Sequence, residues 1–199
     1  MFEYIGNKLR ASLAASPMIT RPGGLAEVID TVNGNERTKY PGCKGYRDKD
    51  GVYTGKTSDI MNLSPDASAA GIAFTDFPSD ITVEQNTGRY QVITVRFRVV
   101  VWYNEDAMSY EGEVDKGGRL MQEVIDRVNA AEMPFFKKSK INLEAISADA
   151  SRIWSVYSFK PDDALFLPPY RTFAIIFRMR AYLMKGCELP EIEVDQSCC

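Results

Sequence analysis

Histidine is absent from the 199-residue chain. That gap removes Ser-His-Asp triads, Cys-His dyads, His-ligated zinc and imidazole proton shuttles. Cysteine is scarce: Cys43, Cys187, Cys198 and Cys199 form no CxxC pair and no metal-ligand spacing, so reduced thiols are expected. Long apolar runs are missing. A run such as Val99-Val100-Val101-Trp102-Tyr103 falls far short of the roughly 18 to 20 residues that cross a bilayer, and no membrane span is expected. The start, Met1-Phe2-Glu3-Tyr4-Ile5, lacks a basic leader and an apolar core, which points to synthesis in the cytoplasm. A cationic excess is missing too. Lys+Arg number 24 against 27 Asp+Glu, a net charge of −3, which removes the simplest case for a duplex nucleic-acid binder but leaves room for a local basic face. What is present is ordinary: 45% hydrophobic and 26% charged residues describe a folding chain, of a length suited to one domain over residues 1–199.

The segment Phe2 to Ala15 spaces Ile5, Leu9 and Leu13 four apart, and Ser16-Pro17 stops it. An amphipathic helix is expected. Val28 to Val32 and Glu36 to Tyr40 flank Asn33-Gly34; a helical face is also readable here, but Asn-Gly is the stronger signal and favours a hairpin. From about residue 41 to 79 the composition shifts to Gly, Asp, Lys, Ser and Pro, which predicts a long, irregular, projecting insertion. Arg89 to Tyr103 alternates, with Ile93, Val95, Phe97, Val99, Val101 and Tyr103 apolar and Thr94, Arg96 and Arg98 opposite. That is a strand with one core face. Leu120, Met121, Val124, Ile125 and Val128 repeat at helical spacing between Gly117-Gly118 and Pro134, predicting a core-facing helix. Ser151 to Phe159 and Thr172 to Met184 are rich in β-formers and read as strands. The expected fold is α+β, a mainly antiparallel sheet with an N-terminal helix and one core-facing helix.

Chemical motifs fail on detail. Gly51-Val52-Tyr53-Thr54-Gly55-Lys56-Thr57 imitates a phosphate-binding loop, yet it has one spacer residue too few and follows a polar segment instead of a buried strand. Asp48-Lys49-Asp50-Gly51 opens like a calcium loop and lacks the later ligands, so a turn is favoured. Glu111, Glu113 and Asp115 could align on one side of an extended segment, where a solvated acidic edge is preferred over metal or acid-base work. Gly117-Gly118-Arg119 could hold an anion at a helix start, and helix entry explains the glycines equally well. The sequon Asn62-Leu63-Ser64 has no export signal beside it. The expectation is a non-enzyme with no cofactor, no metal and no small-molecule substrate.

Basic residues supply the more specific signal. Lys44, Arg47, Lys49 and Lys56, with Arg37 and Lys39, make the insertion locally cationic. Val95-Arg96-Phe97-Arg98-Val99 and Phe177-Arg178-Met179-Arg180-Ala181 repeat one pattern, so adjacent strands would display Arg96, Arg98, Arg178 and Arg180 on one surface. Such a surface is either solvated beside acids of the same chain, or an interface to an acidic subunit or to DNA.

The layout resembles the tail terminator and neck, or tail-completion, proteins of tailed bacteriophages. The resemblance rests on the N-terminal helix, the strand Arg89 to Tyr103 followed by the helix Arg119 to Ala131, and paired final strands Ser151 to Phe159 and Thr172 to Met184. It covers about two thirds of the chain, and the 41–79 insertion departs from it. It implies a virion structural protein that forms a homo-oligomeric ring joining head to tail or ending the tail. Its partners would be portal, connector and tail proteins, near packaged DNA. Two other classes stay open: a single-stranded nucleic-acid binder stacking bases on Tyr90, Trp102, Tyr103, Trp154 and Tyr157, and a histidine-free carboxylate enzyme.

Overall fold

A computed structural model describes residues 1–33, 36–44, 60–78, 82–87, 90–110, 115–134, 136–159 and 163–184. Helix α1 spans Phe2–Leu13 and buries Ile5, Leu9 and Leu13, the row its spacing predicts. Glu3 in its first turn and Arg10 in its last complement the helix dipole. Strands β1 (Arg21–Asn33) and β2 (Glu36–Lys44) pair antiparallel, with Val32 opposite Arg37 and Val28 opposite Pro41. The expected hairpin is therefore present; Gly34 lies outside the described residues.

The long strand β6 (Tyr90–Asn104) and the final strand β8 (Tyr170–Met184) pair along their whole length. Helix α2 (Lys116–Ala130) buries Leu120, Val124 and Val128. Both helices cover the same side of the sheet, where Ile93, Val95, Phe97, Val99 and Val101 of β6 and Phe173, Ile175, Phe177 and Met179 of β8 complete the main core. The helices are tied to each other: Ser12 Oγ donates to the Arg127 carbonyl at 2.7 Å, and the Arg127 guanidinium donates to the Ala15 carbonyl at 2.8 Å. Gly6 lets α1 lie on β1, since a Cβ there would come within 2.6 Å of the Leu25 nitrogen.

Among the described residues the sheet has eight strands, in the order β3 (Ile60–Asn62), β2, β1, β4 (Gly71–Asp76), β6, β8 and β7 (Lys137–Ser147), with β5 (Thr82–Thr87) also on β6. The described pairings are antiparallel except β1 with β4. The fold is α+β.

Two readings need correction. The 41–79 segment is not irregular throughout: its first residues finish β2, Ile60–Asn62 forms β3, and Gly71–Asp76 forms β4, which sits between β1 and β6. Five of the six residues of β4 are buried. A strand covered on both faces has no polar alternation to announce it. Residues 45–59 of that segment lie outside the described residues.

Ser151 to Phe159 is not a strand. A short helix α3 (Ala150–Ile153) starts there, with the Asp149 carboxylate accepting from the Ser151 and Arg152 nitrogens, and turns follow. Ile153, Trp154 and Tyr157 sit at helical offsets and are buried. The strand beside β8 is instead β7 (Lys137–Ser147), and β5 (Thr82–Thr87) extends the other edge. The last paired strands are thus β7 and β8, which removes Ser151 to Phe159 from the elements that carry the phage resemblance.

Candidate functional site

Among the described residues, the sheet side away from α1 and α2 is covered at one end only. There a smaller core gathers Cys43, Met61, Leu63, Ile72, Phe74, Val100, Trp102, Ile153, Trp154 and Tyr157. Its indole groups are spoken for: Trp102 Nε1 donates to the Leu165 carbonyl at 2.7 Å, and Trp154 Nε1 donates to Thr172 Oγ1 at 3.2 Å. Trp102, Tyr103, Trp154 and Tyr157 are all buried, so these four positions do not offer the base-stacking platform that the alternative nucleic-acid reading needs. Tyr90 is half-buried. Aromatic rings of this number in a small sheet serve to fill cores.

At the other end of the same side lie the four arginines. Alternation along β6 and β8, and the register that sets Arg96 opposite Arg178, bring Arg96, Arg98, Arg178 and Arg180 to one face. The sequence reading of a shared surface is met. Lys140 of β7 stands in register with Arg180 and joins them.

Each arginine has an acid from its own chain. Arg98 pairs with Asp76, its direct cross-strand neighbour, Nε to Oδ1 at 2.9 Å. Both side chains are largely shielded, at 19% and 16% exposure. Burial works against the Arg98 charge, and the Asp76 hydrogen bond and charge outweigh it, so its pKa is raised. Arg96 Nε donates to Glu144 Oε2 at 2.8 Å, and Arg178 donates to the other oxygen of the same carboxylate. Arg180 Nε donates to Glu84 Oε2 at 2.7 Å, while Thr94 Oγ1 donates to Glu84 Oε1. The Thr94 bond first, and Arg180 second, hold the Glu84 carboxyl below the usual carboxylate range.

Glu84 and Glu144 share an origin that the sequence does not announce. The β5–β6 register shifts between Val83 and Gln85, and the β7–β8 register between Leu143 and Ala145. Each glutamate is the extra residue of a bulge, the device by which an edge strand redirects one side chain. The bulges aim both carboxylates inward over the arginine row from opposite edges. The side chains named on this face carry two more cations than anions: Arg96, Arg98, Arg178, Arg180 and Lys140 against Asp76, Glu84 and Glu144.

The remaining sequence candidates separate. Lys44 ends β2, far along the chain order of the sheet from the arginines, and lies 3.7 Å from Glu27. Arg47, Lys49 and Lys56, with both motif imitations at 48–57, lie outside the described residues, as do Glu111 and Glu113. Asp115 caps α2, accepting from the Gly118 nitrogen at 2.8 Å. Its carboxylate fills the place where an anion would meet the helix start, and Gly117 is packed against the Tyr103 hydroxyl. Among the described residues, no three acidic or cysteine side chains gather as a metal site. Nor, among them, is any helix long and apolar enough to cross a membrane.

A second surface comes from the β1–β2 ribbon. Val28 and Val32 occupy one of its faces, with Val32 72% exposed. Ile29 and Tyr40, half-buried, are paired on the other face near exposed Ile60. No protein-family model and no curated protein matches this chain.

Proposed function

We propose that this protein is a non-enzymatic structural subunit of a tailed-phage particle, assembling as a homo-oligomeric ring at the neck or the tail end. The observation that carries the assembly is the outer β1–β2 ribbon, which shows branched apolar side chains on both faces. A two-stranded ribbon is marginal in water by itself. A neighbouring copy that covers Val28 and Val32 would supply the missing packing, and cyclic repetition of one such contact closes a ring. Portal, connector and tail proteins are the partners of this reading, with packaged DNA nearby and the virion as the site of action. The layout resemblance supports the choice of particle through α1, β6 and α2. The arginine face enters only as a surface already served by acids of its own chain, so reversing an arginine is expected to affect stability before assembly.

Light scattering on the purified protein, with imaging of purified particles, tests the reading. A ring-sized assembly is expected, dispersed by Val32→Asp while the thermal unfolding midpoint stays within a few degrees of the parent protein. A wild-type protein that stays monomeric at high concentration and is missing from particles would overturn it.

A further inference from the structure

Strands β4 and β5 share one row of the sheet, β4 against residues 98–103 of β6 and β5 against residues 90–94. Strand β1 accompanies that row only as far as Leu25, opposite Thr75, after a register shift that begins at Pro22. From residue 26 to 33 its strand partner is β2. Beside β5 the row is therefore open, and among the described residues the outer edge of β5 pairs with no strand. Strand β7 ends the sheet on the other side, and among the described residues its outer edge is equally unpaired. Unpaired edges are templates for a strand of another chain.

On the helix side the two edges are alike. Val83 of β5 lies opposite Ile93 and is 54% exposed, while Leu143 and Ile146 of β7 lie opposite Phe177 and Ile175 and are 44% and 45% exposed. Ile93, Phe177 and Ile175 belong to the main core, so an apolar partner at either edge lengthens that core by one strand. In charge the edges differ. Lys138 and Lys140 of β7 are exposed, with no ion-pair partner among the described residues, whereas β5 contains no base and one acid, Glu84. Edge lysines discourage pairing with a second basic edge and leave a base-free one admissible. Glu84 bonds Thr94 and Arg180 and is still 37% exposed; a carboxylate has about four acceptor positions, so a further lysine adds to those bonds without displacing them.

Strand direction favours the same match. β5 is antiparallel to β6, β6 to β8 and β8 to β7, so β5 and β7 run in opposite directions at opposite sides of the sheet. Two copies side by side in one orientation thus bring β7 of the first against β5 of the second as an antiparallel pair, with their helix sides aligned. We propose that this β7-to-β5 strand pairing is the joint between copies: Leu143 and Ile146 pack beside Val83, and Lys140 reaches Glu84 across it, with main-chain bonds supplying the attachment. Each copy keeps one β7 and one β5 for the next, so the contact repeats until a ring closes. The inference rests on the ring reading and names its surfaces. β1 runs parallel to β4, toward the β5 end of the row, so the copy seated on β5 is the one placed beside Val28 and Val32.

Disulfide trapping in the full chain, with light scattering on the same samples before oxidation, tests it. Cys187→Ser, Cys198→Ser and Cys199→Ser leave the buried Cys43 as the background thiol. In that background Val83→Cys protein is mixed with Leu143→Cys or with Ile146→Cys protein and oxidised. Linked dimer at least about tenfold above that of any variant alone is expected in at least one mixture, since facing strand positions suit disulfide geometry. Asn142→Cys, exposed on the other side of β7 opposite Arg178, is expected to link with Val83→Cys no better than background. Ring-sized particles without linked dimer would overturn the β7-to-β5 joint and leave the ring reading standing. Linkage as strong in one variant alone, or in the Asn142→Cys mixture, would overturn the joint as well. A protein that scatters as a monomer would overturn the ring reading and the joint together.

Discussion

Replacing Glu144 by Gln separates the charge of that carboxylate from its shape. Arg96 and Arg178 are direct cross-strand partners, and the two oxygens of Glu144 divide between them. The glutamate is 19% exposed, the arginines 47% and 58%. An amide keeps one acceptor and turns its NH2 toward the second guanidinium, donor against donor. Two half-exposed charge-assisted bonds contribute about 0.5 kcal/mol each. The two guanidinium charges, roughly 6 Å apart, repel by about 1 kcal/mol at a dielectric between about 40 and 80, a repulsion that the carboxylate offsets in the parent protein and that stands uncompensated in the variant. Glu144→Gln is therefore expected to lose about 1 kcal/mol, the two bonds together. Urea unfolding at pH 7, extrapolated linearly to water, measures it without adding salt. Adding Arg178→Gln removes that repulsion and should return most of the loss, and about 0.5 M NaCl should shrink the single-variant deficit, since exposed charges are screened. A Glu144→Gln protein within about 0.3 kcal/mol of the parent protein, or a deficit indifferent to salt and to Arg178→Gln, would refute the electrostatic account of this face.

Gly6→Ala, which would ordinarily gain up to about 1 kcal/mol in a helix, should instead cost about 1 to 3 kcal/mol through overpacking, because its Cβ would meet the β1 backbone at Leu25; a melting temperature at or above that of the parent protein would contradict this. Thr75 is fully buried and its hydroxyl has no hydrogen-bond partner among the described residues, so Thr75→Val is expected to stabilise by about 1 kcal/mol in urea unfolding. Asp66 accepts from the Ser68 nitrogen and hydroxyl and from Arg21, which lowers its pKa from 3.8 to about 2. Its contribution is complete above the unfolded value and fades as pH falls through the folded one. Asp66→Asn should thus cost roughly 1 kcal/mol at pH 7, kept small by solvent screening. That difference should close as the pH is lowered toward 2.

The elements legible in the sequence were those whose period survives along their length. Alternation from Ile93 to Tyr103 and from Phe173 to Leu183 marks β6 and β8, and the 120-124-128 spacing marks α2. The arginine face followed from the same alternation. Its acids did not: Glu84 and Glu144 reach it by bulges, which break the count that pattern reading depends on, and Asp76 ends a strand buried on both sides. The same bulge hid β7, whose apolar positions 141, 143 and 146 follow no single period. At Ser151 to Phe159 the β-forming composition outweighed a clear Asx helix start at Asp149, and the aromatic residues turned inward as core.

The extra residue at position 144 makes β7 behave like a sentence with one added letter, in which everything downstream is read in a shifted frame. Deleting that single residue would leave Leu143, Ala145 and Ile146 in plain alternation, each opposite the partner it has now, and would remove the carboxylate between Arg96 and Arg178. Keeping the residue and flattening the bulge does the opposite: Ala145 and Ile146 exchange sides, which carries an isoleucine into the charged face. The bulge thus confines the added letter to one position, whereas a second inserted residue with no bulge to absorb it would change which way the rest of the strand is facing.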